Sequence, residues 1–182
     1  MRRKASDNVY LHKDFHGALS AGIEYLHRRY GKEAVRQYLR QFASNFYAPL
    51  IKEVKKRGLV ALKEHFEKMY KIEKGKCRIT FSEDELRIEV KACPAVTHMR
   101  KQGYRVARLF SETTRTVNEA ICKGTPFASE LLSYDEETGQ GIQRFYRSDA
   151  VRRGRSTFLA SGGEKVRGPH CQSGGHPARR TK

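Results

Sequence analysis

The hydrophobic period of this chain first changes near Gly75, from roughly 3.6 residues to about 2. A chain with that switch builds a helical layer first and a sheet afterwards. On the helical side, Phe15, Leu19, Gly22, Ile23, Leu26 and Tyr30 recur at three- and four-residue steps, behind Asp14 as an N-cap, and Gly31 punctuates. A longer stripe then runs from Val35 through Tyr38, Leu39, Phe42, Phe46, Leu50 and Ile51 to Val54, closed by Gly58. Pro49 lies inside that stripe and should kink or divide it, because it removes a backbone donor and clashes with the preceding turn. Leu59, Leu62, Phe66, Met69 and Tyr70 form a third stripe up to Gly75.

Beyond Gly75, Cys77, Ile79 and Phe81 alternate with polar residues, and so do Leu86, Ile88 and Val90. The polar run Ser82–Glu85 between them reads as a hairpin connection. A short helix follows Cys93-Pro94 and stops at Gly103, and another runs from Ser111 to Lys123. Strands at 127–134 and 141–146 flank the turn Asp135–Gly139. The expected fold class is α+β: three N-terminal helices, then a small antiparallel sheet of two hairpins interrupted by two helices.

Composition divides the chain further. From Arg147 to Lys182, six glycines, two prolines and nine Lys or Arg stand against Asp149 and Glu164, with few apolar anchors. Such a segment buries too little surface to offset its ordering entropy. The expected organisation is a flexible N-terminus over 1–13, an α+β domain over 14–147, and a disordered basic tail over 148–182. The tail carries a large share of the net charge of +17, so the folded part is less basic than the total suggests.

No run of apolar residues is long enough to cross a membrane as a helix, and the basic start Met1–Lys4 precedes polar residues rather than a signal core. Cys77, Cys93, Cys122 and Cys171 form no CxxC pair and no disulfide framework. A cytoplasmic location with reduced thiols is the expectation.

Two local arrangements bear chemistry. Proline favours the first helical position, which puts Cys93 at an N-cap, where free amides and the positive helix end stabilise a thiolate. His98, Arg100 and Lys101 nearby push the same way. The alternative is a buried cysteine that closes a strand. Glu112, just after Ser111, complements the dipole of a helix start and can pair with Arg115; alternatively it aims a carboxylate into a pocket.

Other signals are weaker. His12 and His16 have the spacing of a metal pair, but no Glu stands between them at the zincin position, and no metal is expected. His16 is read as a pocket donor, and His27 and His65 as helix-surface residues. His170, Cys171 and His176 stand among Gly and Ser, without preorganised geometry. Tyr25, Arg28, Arg29, Tyr30, Arg36, Tyr38 and Arg40 interleave aromatic with basic groups, yet Glu24 and Glu33 interrupt them. No specific nucleic-acid partner is expected, only a salt-sensitive attraction of the tail for anionic polymers. Tyrosine-rich helix faces leave a homo-oligomer open.

With those segments in order, residues 14–146 resemble the L-2-amino-thiazoline-4-carboxylic acid hydrolase-like family. The most specific stretches are IEVKACPAVTHMRKQGY and ARLFSETTRTVNEAICKGTPF. Cys93-Pro94 and Glu112 match the family's pattern, while Ser111 stands where its members often carry a second cysteine, with Cys122 a candidate to lie nearby. The layout is also similar, more distantly, to sensor domains related to the bacteriochlorophyll 4-vinyl reductase family.

The first resemblance implies hydrolysis of a small cyclic amidine or a related nitrogen- and sulfur-containing compound. Cys93 would be the nucleophile or a polar pocket group, Glu112 would hold the amidinium, and His98 or His16 would move protons. Arg105, Arg108 or Arg115 would clamp a carboxylate, and Asn118 and Tyr47 would donate hydrogen bonds. The cofactor is left open. The second resemblance implies a domain that binds a small molecule without chemistry, and the charge leaves a basic nucleic-acid-associated protein as a third reading. Catalysis in this form requires Cys93 and Glu112 to line one cavity.

Overall fold

A helix with one apolar stripe needs a second layer to cover it, and the first layer here comes from a helix folded back on itself. In the computed structural model, residues 12–148 are described, with side chains from Phe15 onward, and α1 covers His12–Phe46. Were α1 straight, Phe15 and Phe42 would lie about 40 Å apart at the usual helical rise. Their ring centroids are 6.3 Å apart. The reversal is at Gly31, whose φ of 82° and ψ of −179° belong to a region open in practice only to glycine. Leu19 and Ile23 on the first arm and Val35, Leu39 and Ala43 on the second are buried.

Pro49 divides the second stripe rather than merely bending it. Helix α2 spans Ala48–Arg57 with proline in its first turn, a position that needs no backbone donor. Helix α3 spans Leu59–Glu73 and stops at Lys74, which adopts the left-handed conformation.

Strands β1 (Lys76–Phe81) and β2 (Glu85–Ala92) form the first hairpin, and β3 (Phe127–Tyr134) and β4 (Gly141–Arg147) the second. Between the hairpins lie α4 (Pro94–Lys101) and α5 (Glu112–Cys122). The hairpins join through β2 and β4 into one antiparallel sheet of order β1-β2-β4-β3, with Leu86 opposite Phe145 and Ile88 opposite Gln143. One bulge interrupts β3 between Leu131 and Ser133. Leu86, Ile88, Val90, Leu131, Gln143 and Phe145 are buried on the sheet. Phe145 meets Phe66 of α3 with ring centroids 5.5 Å apart. The fold class is α+β, as the two periods require.

Among the described residues, no helix is long and apolar enough to cross a membrane. Helix α1 begins at His12, inside the stretch expected to be a flexible N-terminus. Residues 1–11 and the expected basic tail, apart from Ser148, lie outside the described residues, as do His170, Cys171, His176 and the side chain of His12.

Candidate functional site

The helical layer and the sheet do not close completely on each other. Between them is a cavity of about 500 Å³ whose walls come from α1, the α1–α2 break, α3, the start of α4, α5 and β4. Rings and aliphatic groups from all the helices but α2 dominate the lining, interrupted by His16, His65, Glu73, Cys93, Asn118 and Gln143. Phe15 and Phe46 also line it, yet are 45% and 59% exposed, so the mouth lies between the two arms of α1.

Cys93 reaches the cavity because β2 ends there and Pro94 starts α4 one residue later. Its amide donates to the carbonyl of Thr138 at 3.2 Å, which draws the β3–β4 turn over it. Gly139 in that turn has φ 67°, and a Cβ there would stand 2.4 Å from the Cβ of Cys93. A smaller space of about 50 Å³ adjoins the same thiol and reaches Tyr134 and Gly141.

The N-cap position is as expected, but its electrostatic consequence is reversed. Burial pushes the Cys93 thiol up, the amides of Val96 and Ala95 pull it down by less, and the charge of Glu73 adds to the rise. A helix of eight residues supplies too little field to outweigh desolvation in an aromatic cavity. The thiol, not the thiolate, is the resting form at neutral pH.

His16, Tyr47 and Asn118 also face the cavity. Asn118 Nδ2 donates to Gln143 Oε1 at 2.5 Å, which ties α5 to β4 across the cavity wall. Tyr47 sits at the break between α1 and α2, edge-on to His65 with centroids 5.7 Å apart. Burial raises its phenol, and the charge of Glu73 raises it further.

Glu112 does not share the cavity with Cys93. It is 2% exposed and turns towards the second arm of α1. Arg36 Nε and Nη2 donate to its two carboxylate oxygens at 3.2 and 3.0 Å. Thr116 Oγ1 donates at 2.6 Å, and Lys32 Nζ stands 3.5 Å away. Burial raises the carboxyl, but the Arg36 and Thr116 hydrogen bonds and the two cationic charges outweigh it and hold the group below the usual carboxylate range. Its expected partner, Arg115, is exposed on the same helix.

The remaining expected site residues are also elsewhere. His98 is edge-on to Tyr104, with centroids 6.4 Å apart, and does not line the cavity. Arg108 faces Glu24 at 3.6 Å. Arg105 lines a more open groove of about 900 Å³, with Arg28, Arg29, Tyr25 and Tyr104, on the first arm of α1. Cys122 is buried beside Ser129, with its thiol pushed up to about 12 by desolvation, and is no second thiol for Cys93.

Conversely, His65, expected on a helix surface, lines the cavity, and burial, aided by Lys68, lowers its pKa so that it is neutral near pH 7. His27 is half-buried. Glu73, Tyr70 and Gln143 were not singled out by sequence. Glu73 lies at the end of the third helical stripe, three residues after Tyr70, and that spacing was the one available signal. Among the described residues, no group of three or more His, Cys, Asp or Glu is placed to hold a metal ion. No protein-family model matches the chain, and no curated protein matches it in sequence.

Proposed function

We propose that this chain is a small-molecule-binding domain whose ligand occupies the cavity between the helical layer and the sheet. One observation carries the reading: a space of about 500 Å³, walled mostly by aromatic and aliphatic side chains, with a few polar groups converging on it. That is the composition of ligand sites, in which apolar walls supply affinity and a few polar atoms fix orientation. An ordinary core closes to crystal-like packing instead.

The hydrolytic reading implied by the family resemblance remains as the second. It is favoured by Cys93, His16 and Asn118 facing one cavity, and weakened by a protonated thiol and by Glu112 being held elsewhere. A cytoplasmic location belongs to the same proposal.

The test is a panel of small molecules screened by thermal shift and followed by mass spectrometry of the incubated mixture. The expected result is stoichiometric binding with the ligand recovered unchanged, and loss of binding when Val117→Trp, a change in the cavity wall on α5, fills the space. Turnover that disappears in Cys93→Ser would favour the hydrolytic reading. Ligands that bind equally well to Val117→Trp would refute the cavity as the site.

A further inference from the structure

Outside the cavity, the groove of about 900 Å³ runs along the first arm of α1, and no residue lines both spaces. Its α1 wall begins with the small residues Gly17, Ala18 and Ala21 and continues with Tyr25, Arg28 and Arg29. From Gly17 to Arg29 that wall is about 18 Å long at the usual helical rise. The facing wall is Tyr104 and Arg105, from the connection between α4 and α5. Buried contacts hold this connection in place. Ser20 Oγ donates to the Arg105 carbonyl at 2.9 Å and accepts from the Ala107 amide at 2.8 Å. Tyr104 is seated on Gly17, where a Cβ would come within 2.8 Å of its ring. The groove is therefore preformed.

Its chemistry is aromatic and cationic together. Three arginines line it against one acid, Glu24, which already accepts from Arg28 at 2.8 Å and faces Arg108 at 3.6 Å. Arg29 and Arg105 are exposed and meet no acidic side chain among the described residues. Beside them Tyr25 and Tyr104 are 62% and 45% exposed. We propose that the groove binds single-stranded nucleic acid, with bases stacked on Tyr25 and Tyr104 and phosphates held by Arg29 and Arg105. Stacking tolerates any base, because every base has a π face, and a guanidinium grips phosphate oxygens as a fork. Paired bases in a duplex hide those faces. A free nucleotide fits less well, since small-molecule sites enclose most of their ligand, whereas this groove lies open along a length that a strand follows past both ends. The basic stretch 147–182 attracts any polyanion, so what distinguishes the groove is a dependence on bases.

The experiment uses the full chain and two strands of equal length and charge, an oligothymidylate and its abasic counterpart, titrated by fluorescence anisotropy over a salt series. The oligothymidylate should bind at least about five-fold tighter, the least that one stacked base contributes. Tyr25→Ala should remove about that factor and leave the abasic strand's affinity unchanged, while Tyr25→Phe, which keeps the ring, should bind as the unaltered chain does. Arg29→Gln and Arg105→Gln should each lower the slope of log affinity against log salt by about 0.7, the share of one phosphate contact on a single strand. Equal affinity for the two strands, or binding of neither, would overturn the inference. So would a thymidylate preference that Tyr25→Ala leaves intact, or a salt slope that neither arginine variant changes. The two strands on the unaltered chain and the arginine variants decide the matter even if Tyr25→Ala does not fold.

Discussion

Glu112 is a buried acid whose surroundings give it structural work. Glu112 is held by Arg36, Thr116 and Lys32, and so ties α5 to the second arm of α1. Replacing it with alanine leaves Arg36 half-buried without its carboxylate partner and should cost about 2 kcal/mol of stability in urea unfolding, with ligand affinity unchanged. Its carboxyl titrates below its ordinary value of 4.5, so its contribution is complete above that value and is lost as pH falls through the lower folded one. The stability gap between the unaltered chain and Glu112→Gln should therefore close below about pH 4.5, as acid denaturation profiles would show. Cys93 has the opposite sign. Its raised thiol should be alkylated by iodoacetamide more slowly at neutral pH than a free cysteine, and labelling should accelerate only above the ordinary thiol value of 9. Sequence showed Cys93 at its N-cap but not the outcome, because the rings close to it, Tyr70 and Tyr134, come from α3 and β3. It could not assign Glu112 either, since Arg36 lies 76 residues away in the chain.

Helices and strands were legible where each follows its own period. The strands read on either side of the Asp135–Gly139 turn, 127–134 and 141–146, match β3 and β4 nearly to the residue, and Pro49 marks the start of α2. What periodicity could not show is direction. Gly31 reads as an interruption in either case, and only its φ of 82° turns the chain back so that Phe15 meets Phe42. Gly31→Ala should cost about 1 to 3 kcal/mol by thermal or urea unfolding, because a side chain at that φ and ψ is strained whatever space surrounds it. Gly139→Ala acts differently. Its Cβ would run into Cys93 and Val96, so the β3–β4 turn must lift from α4, and exchange of the Cys93 amide bonded to Thr138 should speed up.

No single helix or hairpin owns the cavity. Its walls come from α1, α3, α4, α5 and β4, so a bound molecule contacts four of the five helices and one strand of the sheet. Ligand stabilisation follows mass action, and a probe at about a hundred times its Kd should raise unfolding free energy by about 2.7 kcal/mol. Val117→Trp should abolish that increment while leaving the chain folded, which a paired thermal-shift series would check. This space was the part of the molecule least open to sequence reasoning. The apolar stripes that line it are the same stripes that fill a solid core, and only their failure to close marks a site.

The reversal at Gly31 also bears on time. Phe15 and Phe46, the rings at the mouth, stand on opposite sides of that one glycine, so the opening widens when the two arms part. How long a guest stays is then governed by the stiffness of a crimp that never touches it. A residue there can lengthen or shorten residence while equilibrium affinity, set by the walls deeper inside, holds steady.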